Sequence, residues 1–205
     1  MRLIHRPTSG RGALFELVLI VALAIGLALG IQAFVVKPYQ IPSPSMVPTL
    51  EEGQRVLVNR FSYRLGADPD IGDVIVFHPP IGAERGNECG AQKLPGQPCP
   101  QPTEGMAETN FIKRVVAGPG DTLSIENGTP IVNGEALEED YTRPCRGLGG
   151  CDFETEITIP EDHYFMMGDN RGGSDDSRYW GPVSKDWIIG KAFVTYWPPD
   201  RIGIF

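Results

Sequence analysis

The chain has 205 residues, a formal charge of −8 at pH 7 and 41% hydrophobic residues. Residues 1–36 hold Arg2, Arg6 and Arg11 against Glu16, a net of +2, so residues 37–205 carry −10. So acidic a body lacks the Lys and Arg surplus that phosphate neutralisation needs, which argues against a nucleic-acid partner.

The length suits one ordinary domain plus an anchor. Residues 1–12 form a short basic leader, expected to be cytoplasmic. Residues 13–36 read ALFELVLIVALAIGLALGIQAFVV, with Glu16 and Gln32 as the only polar side chains. An apolar run of at least about 18 residues can cross a bilayer as a helix, which pairs its own backbone groups. Arg2, Arg6 and Arg11 precede it, so the N-terminus is expected inside and residues 37–205 outside. A cleaved secretory signal competes, but its apolar core is usually roughly 7–15 residues and ends in a small-residue cleavage site. Here Phe34-Val35-Val36-Lys37-Pro38 follows the run. A buried soluble helix is the weaker rival, since little else in the chain is helical enough to wrap it.

After Val36 come short apolar runs punctuated by Gly, Pro, Asp and Asn. Strands are expected at 55–59, 74–77, 111–116, 122–125, 131–132, 156–159, 164–167 and 188–196. This is the pattern of an all-β domain. Asn133-Gly134 reads as a hairpin turn. Residues 79–109, rich in Pro and Gly, read as a long surface excursion between two strands.

Cys89, Cys99, Cys145 and Cys151 all follow the apolar run. Four cysteines allow three connectivities, and proximity favours 89–99 and 145–151 in an oxidising compartment. Free thiols or a metal site are the alternatives. A four-cysteine zinc site usually has two-residue spacings, which neither pair shows, and no HExxH motif is present. No metal or cofactor is expected.

A Ser-His-Asp triad would need an external imidazole. His5 lies before the span, His78 adjoins Pro79-Pro80, and His163 follows Glu161-Asp162 in a surface-like setting. A serine with an amine base is the remaining choice. Ser45 lies in IPSPSMVPTL (41–50), where three prolines fix φ and push their preceding residues toward extended backbone. A plain turn serine would look similar. In FIKRVV (111–116) alternation places Phe111, Lys113 and Val115 on one face and Ile112, Arg114 and Val116 on the other. Both faces are largely apolar, so Lys113 is expected to be buried. Desolvation disfavours its charged form, and a neutral amine can take a serine proton. A lysine that snorkels to water or pairs with a carboxylate is the alternative.

Segments 41–50, 72–77 (GDVIVF), 111–121 (FIKRVVAGPGD) and 168–183 (GDNRGGSDDSRYWGPV) closely resemble, in order, the boxes of bacterial type I signal peptidase. The single basic-flanked anchor and Tyr196-Trp197-Pro198 fit as well. These boxes cover about a fifth of the chain, but their order spans nearly all of it. The resemblance implies an all-β catalytic domain with two antiparallel sheet regions behind one transmembrane helix. It implies a single-pass enzyme of the bacterial inner membrane, with its catalytic domain in the periplasm or its equivalent.

The resemblance implies Ser45 as nucleophile and Lys113 as general base. It makes Ser174 the hydroxyl that orients the lysine, and pairs Ser43 with the Ser45 N–H in the oxyanion hole. Asp176 and Arg178 match a supporting ion pair. Tyr39, Ile41, Pro42, Met46, Leu50, Phe111 and Ile112 match shallow apolar pockets, with ordinary core packing as the competing role. The implied substrates are secretory preproteins near the translocon, cut after small residues at positions −3 and −1. They would lie extended beside the Lys113 strand. The Cys145/Cys151 pair resembles a short-loop disulfide of some members, and Cys89/Cys99 is matched to nothing familiar. Pro44 stands where Gly is frequent, and Gly172-Gly173 replace the usual Asp-Asn. A maturation peptidase with one dedicated pilus or conjugation substrate, and an inactive tethered β binding domain, are the other readings.

Overall fold

The computed structural model describes residues 10–85, 88–145 and 150–205. Arg2, His5 and Arg6 lie outside the described residues, as does most of the 1–12 leader.

Helix α1 spans Gly10–Phe34. Within it Gly12–Gly30 is long and apolar enough to cross a membrane, and none of that window is buried against the protein. At about 1.5 Å per residue its 25 residues reach roughly 37 Å, more than a hydrocarbon core of about 30 Å. The helix stops short of Val36, which instead opens strand β1, Val36–Gln40. Lys37, Pro38 and Gln40 give β1 no apolar run. Its place comes from main-chain pairing with β2, Arg55–Asn59.

The strands that follow are β3 (Val74–Phe77), β4 (Phe111–Ala117), β5 (Thr122–Glu126), β6 (Thr129–Val132), β7 (Glu135–Ala136) and β8 (Phe153–Thr158). After them come β9 (His163–Met167), β10 (Val183–Ser184), β11 (Ile188–Trp197) and β12 (Gly203–Ile204). Short helices α2 (Phe61–Arg64) and α3 (Ser177–Trp180) sit in the connections. One antiparallel sheet runs β1-β2-β11-β3-β4-β9-β10, with β12 on β11, and a smaller one runs β7-β6-β5-β8. The body is thus all-β in two sheet regions behind one N-terminal apolar helix. Asn133 and Gly134 both take positive φ, as a two-residue hairpin between β6 and β7 requires.

Among the described residues three apolar clusters hold the sheets. One packs Val116, Ala117, Phe165 and Met167 of the large sheet on Leu123, Ile125 and Ile157 of the small one. A second buries Ile41, Met46 and Leu50 against Val56, Val58, Val74, Val76 and Ile112. A third gathers Ile75, Phe77, Val115 and Met166 around Trp180. The second seats the Ser45 segment on the sheet that carries Lys113.

Both expected cysteine pairs are bonded, Cys89 to Cys99 and Cys145 to Cys151, with Cα separations of 5.7 and 5.9 Å. The 79–109 stretch is not a free excursion. Ala83, Cys99 and Ala107 are buried. Cys99 N–H donates to the Arg178 carbonyl over 3.1 Å, and Thr155 N–H to the Gly96 carbonyl over 3.0 Å. The stretch therefore lies over α3 and reaches the small sheet.

Candidate active site

The proline-rich segment forms a single 3-10 turn, Pro44–Met46, preceded by extended Ser43. The turn points Ser45 toward β4 and drives Met46 into the core. Lys113, in the middle of β4, is only 4% exposed and Ser45 6%. Lys113 Nζ donates to Ser45 Oγ over 2.7 Å. Ser43 Oγ also donates to Ser45 Oγ, over 3.2 Å.

Burial pushes the Lys113 amine down to about 8 from 10.5, although Asp176 and Asp175 pull the other way. A substantial fraction of this lysine is therefore neutral near pH 8, where its lone pair can accept the Ser45 proton. Ser45 is the second residue of its turn, so its N–H belongs to the first-turn donors that have no acceptor within the turn.

The turn is held from the loop after β9. Asn170 N–H donates to the Ser45 carbonyl over 3.0 Å, and Asn170 Nδ2 donates to the Pro44 carbonyl over 3.1 Å. Asp169 accepts from Arg114 Nε at 2.9 Å, from Arg114 Nη2 at 2.6 Å and from Thr49 Oγ1 at 2.5 Å. These contacts join the two sides of the site, since Arg114 follows Lys113 on β4 and Thr49 follows Ser45. Arg171 fixes the same loop through its bonds to the Gly168 and Gly128 carbonyls and to Glu139. The motifs did not single out Asn170, Asp169, Arg114, Arg171 or Thr49.

Asp176 caps α3 and is wholly buried. Burial works against its charge, but the Arg178 guanidinium grips both oxygens, at 2.7 and 2.8 Å, and holds the carboxyl below its usual range. Asp176 also accepts from the Gly168 N–H, and Arg178 donates to the Ser174 carbonyl. The pair thus fastens both ends of the 168–174 loop.

The bond expected from Ser174 to Lys113 is not formed. Ser174 Oγ is buried and makes no hydrogen bond of regular geometry. Its side chain turns onto Gly168, in the space a Cβ would fill, and the Ser45 carbonyl crowds the same space.

A groove of about 680 Å³ opens on the Ser45–Lys113 contact. Tyr39, Ile41, Pro42, Phe111 and Ile112 line it. Met46 and Leu50 do not. Both are fully buried in the second core cluster, Met46 as the last residue of the 3-10 turn. Gln40, Val76, Asn110, Gly173 and Asp175 line the groove without having been anticipated.

Along β4, β3 pairs residues 111–114 on one side, whereas β9 pairs only from Arg114 onward on the other. Among the described residues no strand covers the second edge of Phe111–Lys113, and that edge borders the groove.

An all-β body with a serine hydroxyl and a buried amine beside an open strand edge has the build of a serine peptidase. The family model described as "Signal peptidase, peptidase S26" matches residues 14–197, and the chain belongs to that family. It is 38% identical over 191 residues to "Signal peptidase I" of Leptolyngbya laminosa, covering 93% of this chain and 83% of that one. It is 36% identical over 183 residues to "Probable signal peptidase I-2" of Synechocystis sp., covering 88% and 72%. Over 224 residues it is 33% identical to "Signal peptidase I" of Pseudomonas aeruginosa, covering 86% and 70%.

Proposed function

We propose that this chain is a membrane-anchored endopeptidase that removes N-terminal signal peptides from secreted preproteins, with Ser45 as nucleophile and Lys113 as general base. The observation that carries this reading is the 2.7 Å contact between the two buried side chains. Neutral Lys113 accepts the Ser45 proton as Oγ attacks the scissile carbonyl. The oxyanion that develops is met by the Ser45 N–H and, after its hydroxyl rotates, by Ser43 Oγ. The lysine then protonates the leaving amine, and the acyl chain remains on Ser45. Water, deprotonated by Lys113, releases it.

The preprotein lies along the free edge of Phe111–Lys113 as an added strand. The walls formed by Ile41, Phe111 and Ile112 leave room for small side chains at positions −1 and −3. Helix α1 spans the membrane with its arginine-rich end in the cytoplasm, so the catalytic body faces the secreted chain near the translocon. The two disulfides suit an oxidising exterior.

The test is mass mapping of the cut on a candidate precursor in detergent. Wild type releases the mature chain at one bond, while Ser45→Ala and Lys113→Ala do not. Lys113→Arg also fails, because a guanidinium stays protonated. Near-normal cleavage by Lys113→Ala overturns the assignment of the base.

A further inference from the structure

A second cavity, of about 450 Å³, lies outside the substrate groove. Arg60, Tyr63, His78, Met106, Lys185 and Trp187 are among its walls. The strand register fixes its position. Val36 pairs with Asn59, Asn59 with Lys191, and Ile188 with Phe77. Arg60, Ile188 and His78 therefore stand at the end of the large sheet from which α1 departs. Arg60 is tied directly to that exit, since its N–H donates to the Val35 carbonyl over 2.9 Å.

Arg60 Nε is buried and has no hydrogen-bond partner. A buried guanidinium N–H calls for an acceptor, and none comes from the described residues. Arg60 and Lys185 bring two positive charges to the lining against one carboxylate, Asp186, and Lys185 is shared with Asp68. His78 Nδ1 faces the Thr109 carbonyl at 3.0 Å. Tyr63, Met106, Trp187, Ile188 and Ile189 supply apolar wall. Within three residues of these in the chain, Phe61, Leu65 and Ile81 are 48%, 71% and 51% exposed. The cavity therefore sets a buried donor and an ammonium against apolar wall.

We infer that this cavity binds the phosphate headgroup of an anionic membrane phospholipid, with Arg60 and Lys185 on the phosphate and Tyr63, Met106 and Trp187 against the glycerol and upper acyl chain. The inference rests on the reading of α1 as a membrane span. A buried donor and an ammonium, set among exposed apolar side chains at the foot of such a helix, match a ligand with an anionic head and an apolar body. The site adjoins the groove. His78 lines the cavity and is bonded to Thr109, and Thr109 lines the groove. A bound headgroup therefore steadies the groove rim.

The test is native mass spectrometry of the full chain in detergent, titrated with phosphatidylglycerol, phosphatidylcholine or inorganic phosphate. Wild type is expected to retain phosphatidylglycerol most tightly. Arg60→Gln weakens that binding roughly fivefold to tenfold, and Lys185→Gln weakens it similarly. Arg60→Lys, which keeps the charge but lacks Nε, falls between. Ser45→Ala binds as wild type does, so failure of the peptidase reading would leave this measurement intact. Thermal melts of each variant separate loss of binding from loss of fold. Equal retention of phosphatidylglycerol by wild type and both glutamine variants overturns the site. Phosphate binding that matches the lipid, or equal retention of both lipids, overturns the anionic-lipid assignment.

Discussion

Asn170 grips the Ser45 turn twice, through its backbone N–H on the Ser45 carbonyl and its side-chain amide on the Pro44 carbonyl. The side-chain bond can be removed without disturbing the backbone one. Asn170→Ala is expected to lower kcat by about 10- to 100-fold with little change in KM, because small misplacement of a nucleophile is costly. Asn170→Asp, which cannot donate to Pro44, should behave like the alanine variant. Steady-state cleavage of a precursor peptide decides this, and an unchanged kcat means the clamp does not position Ser45.

The second expectation concerns pH. Lys113 is driven down to about 8 by burial, with Asp176 and then Asp175 opposing the shift. The acidic limb of kcat/KM should therefore lie near 8, with activity rising as the amine loses its proton. Asp175 is exposed on the groove wall. Asp175→Asn removes a charge that favours the ammonium, so the limb should move to lower pH. A rate profile of both proteins checks the direction, and a shift to higher pH contradicts it.

The buried lysine should also cost stability. Its value falls from 10.5 to about 8 on folding, so the unfolded chain binds more protons between those limits. Stability due to this group rises with pH from about 8 to 10.5. Below about 8 the penalty is present in full, on the order of 3 kcal/mol. Lys113→Met should thus be inactive yet more stable at neutral pH by about 1–3 kcal/mol, with the gain shrinking toward pH 10. Denaturant melts at two pH values measure it.

Gly168 is required for its lack of a side chain. A Cβ there would strike Ser174 Oγ and the Ser45 carbonyl together. Gly168→Ala should destabilise the protein by about 1–3 kcal/mol and depress kcat, since relief must come from the loop or from the Ser45 turn. A variant with wild-type melting temperature and activity would show that the loop yields freely.

The strands with apolar runs were legible in the sequence. In VIVF and FIKRVV, burial on both faces leaves a continuous apolar signal. Strand β1 was hidden, because Val36 was counted in the apolar span and Lys37-Pro38-Tyr39-Gln40 has no apolar run, so only pairing with β2 makes it a strand. Asn127-Gly128 carried the same turn signal as Asn133-Gly134 and closes the β5–β6 hairpin with both φ positive. Met46 and Leu50 were assigned to the groove walls by resemblance alone, and the structure gives them the competing role of core packing. Arg114 and Asp169 are 55 residues apart, and Asn170 and Pro44 are 126 apart. No local pattern reports contacts of that range. They arise only when the sheet brings β4 and the loop after β9 together.

Strand order sets a condition on how the enzyme comes into being. Ser45 follows β1 and Lys113 lies on β4, yet β2 and β3 do not touch as neighbours: β11, residues 188–197, is threaded between them. A ribosome delivers that strand after β1 to β10. Until it arrives, the segment that holds Ser45 and the strand that holds Lys113 share no sheet, and only side-chain packing and the loop after β9 can draw the two together.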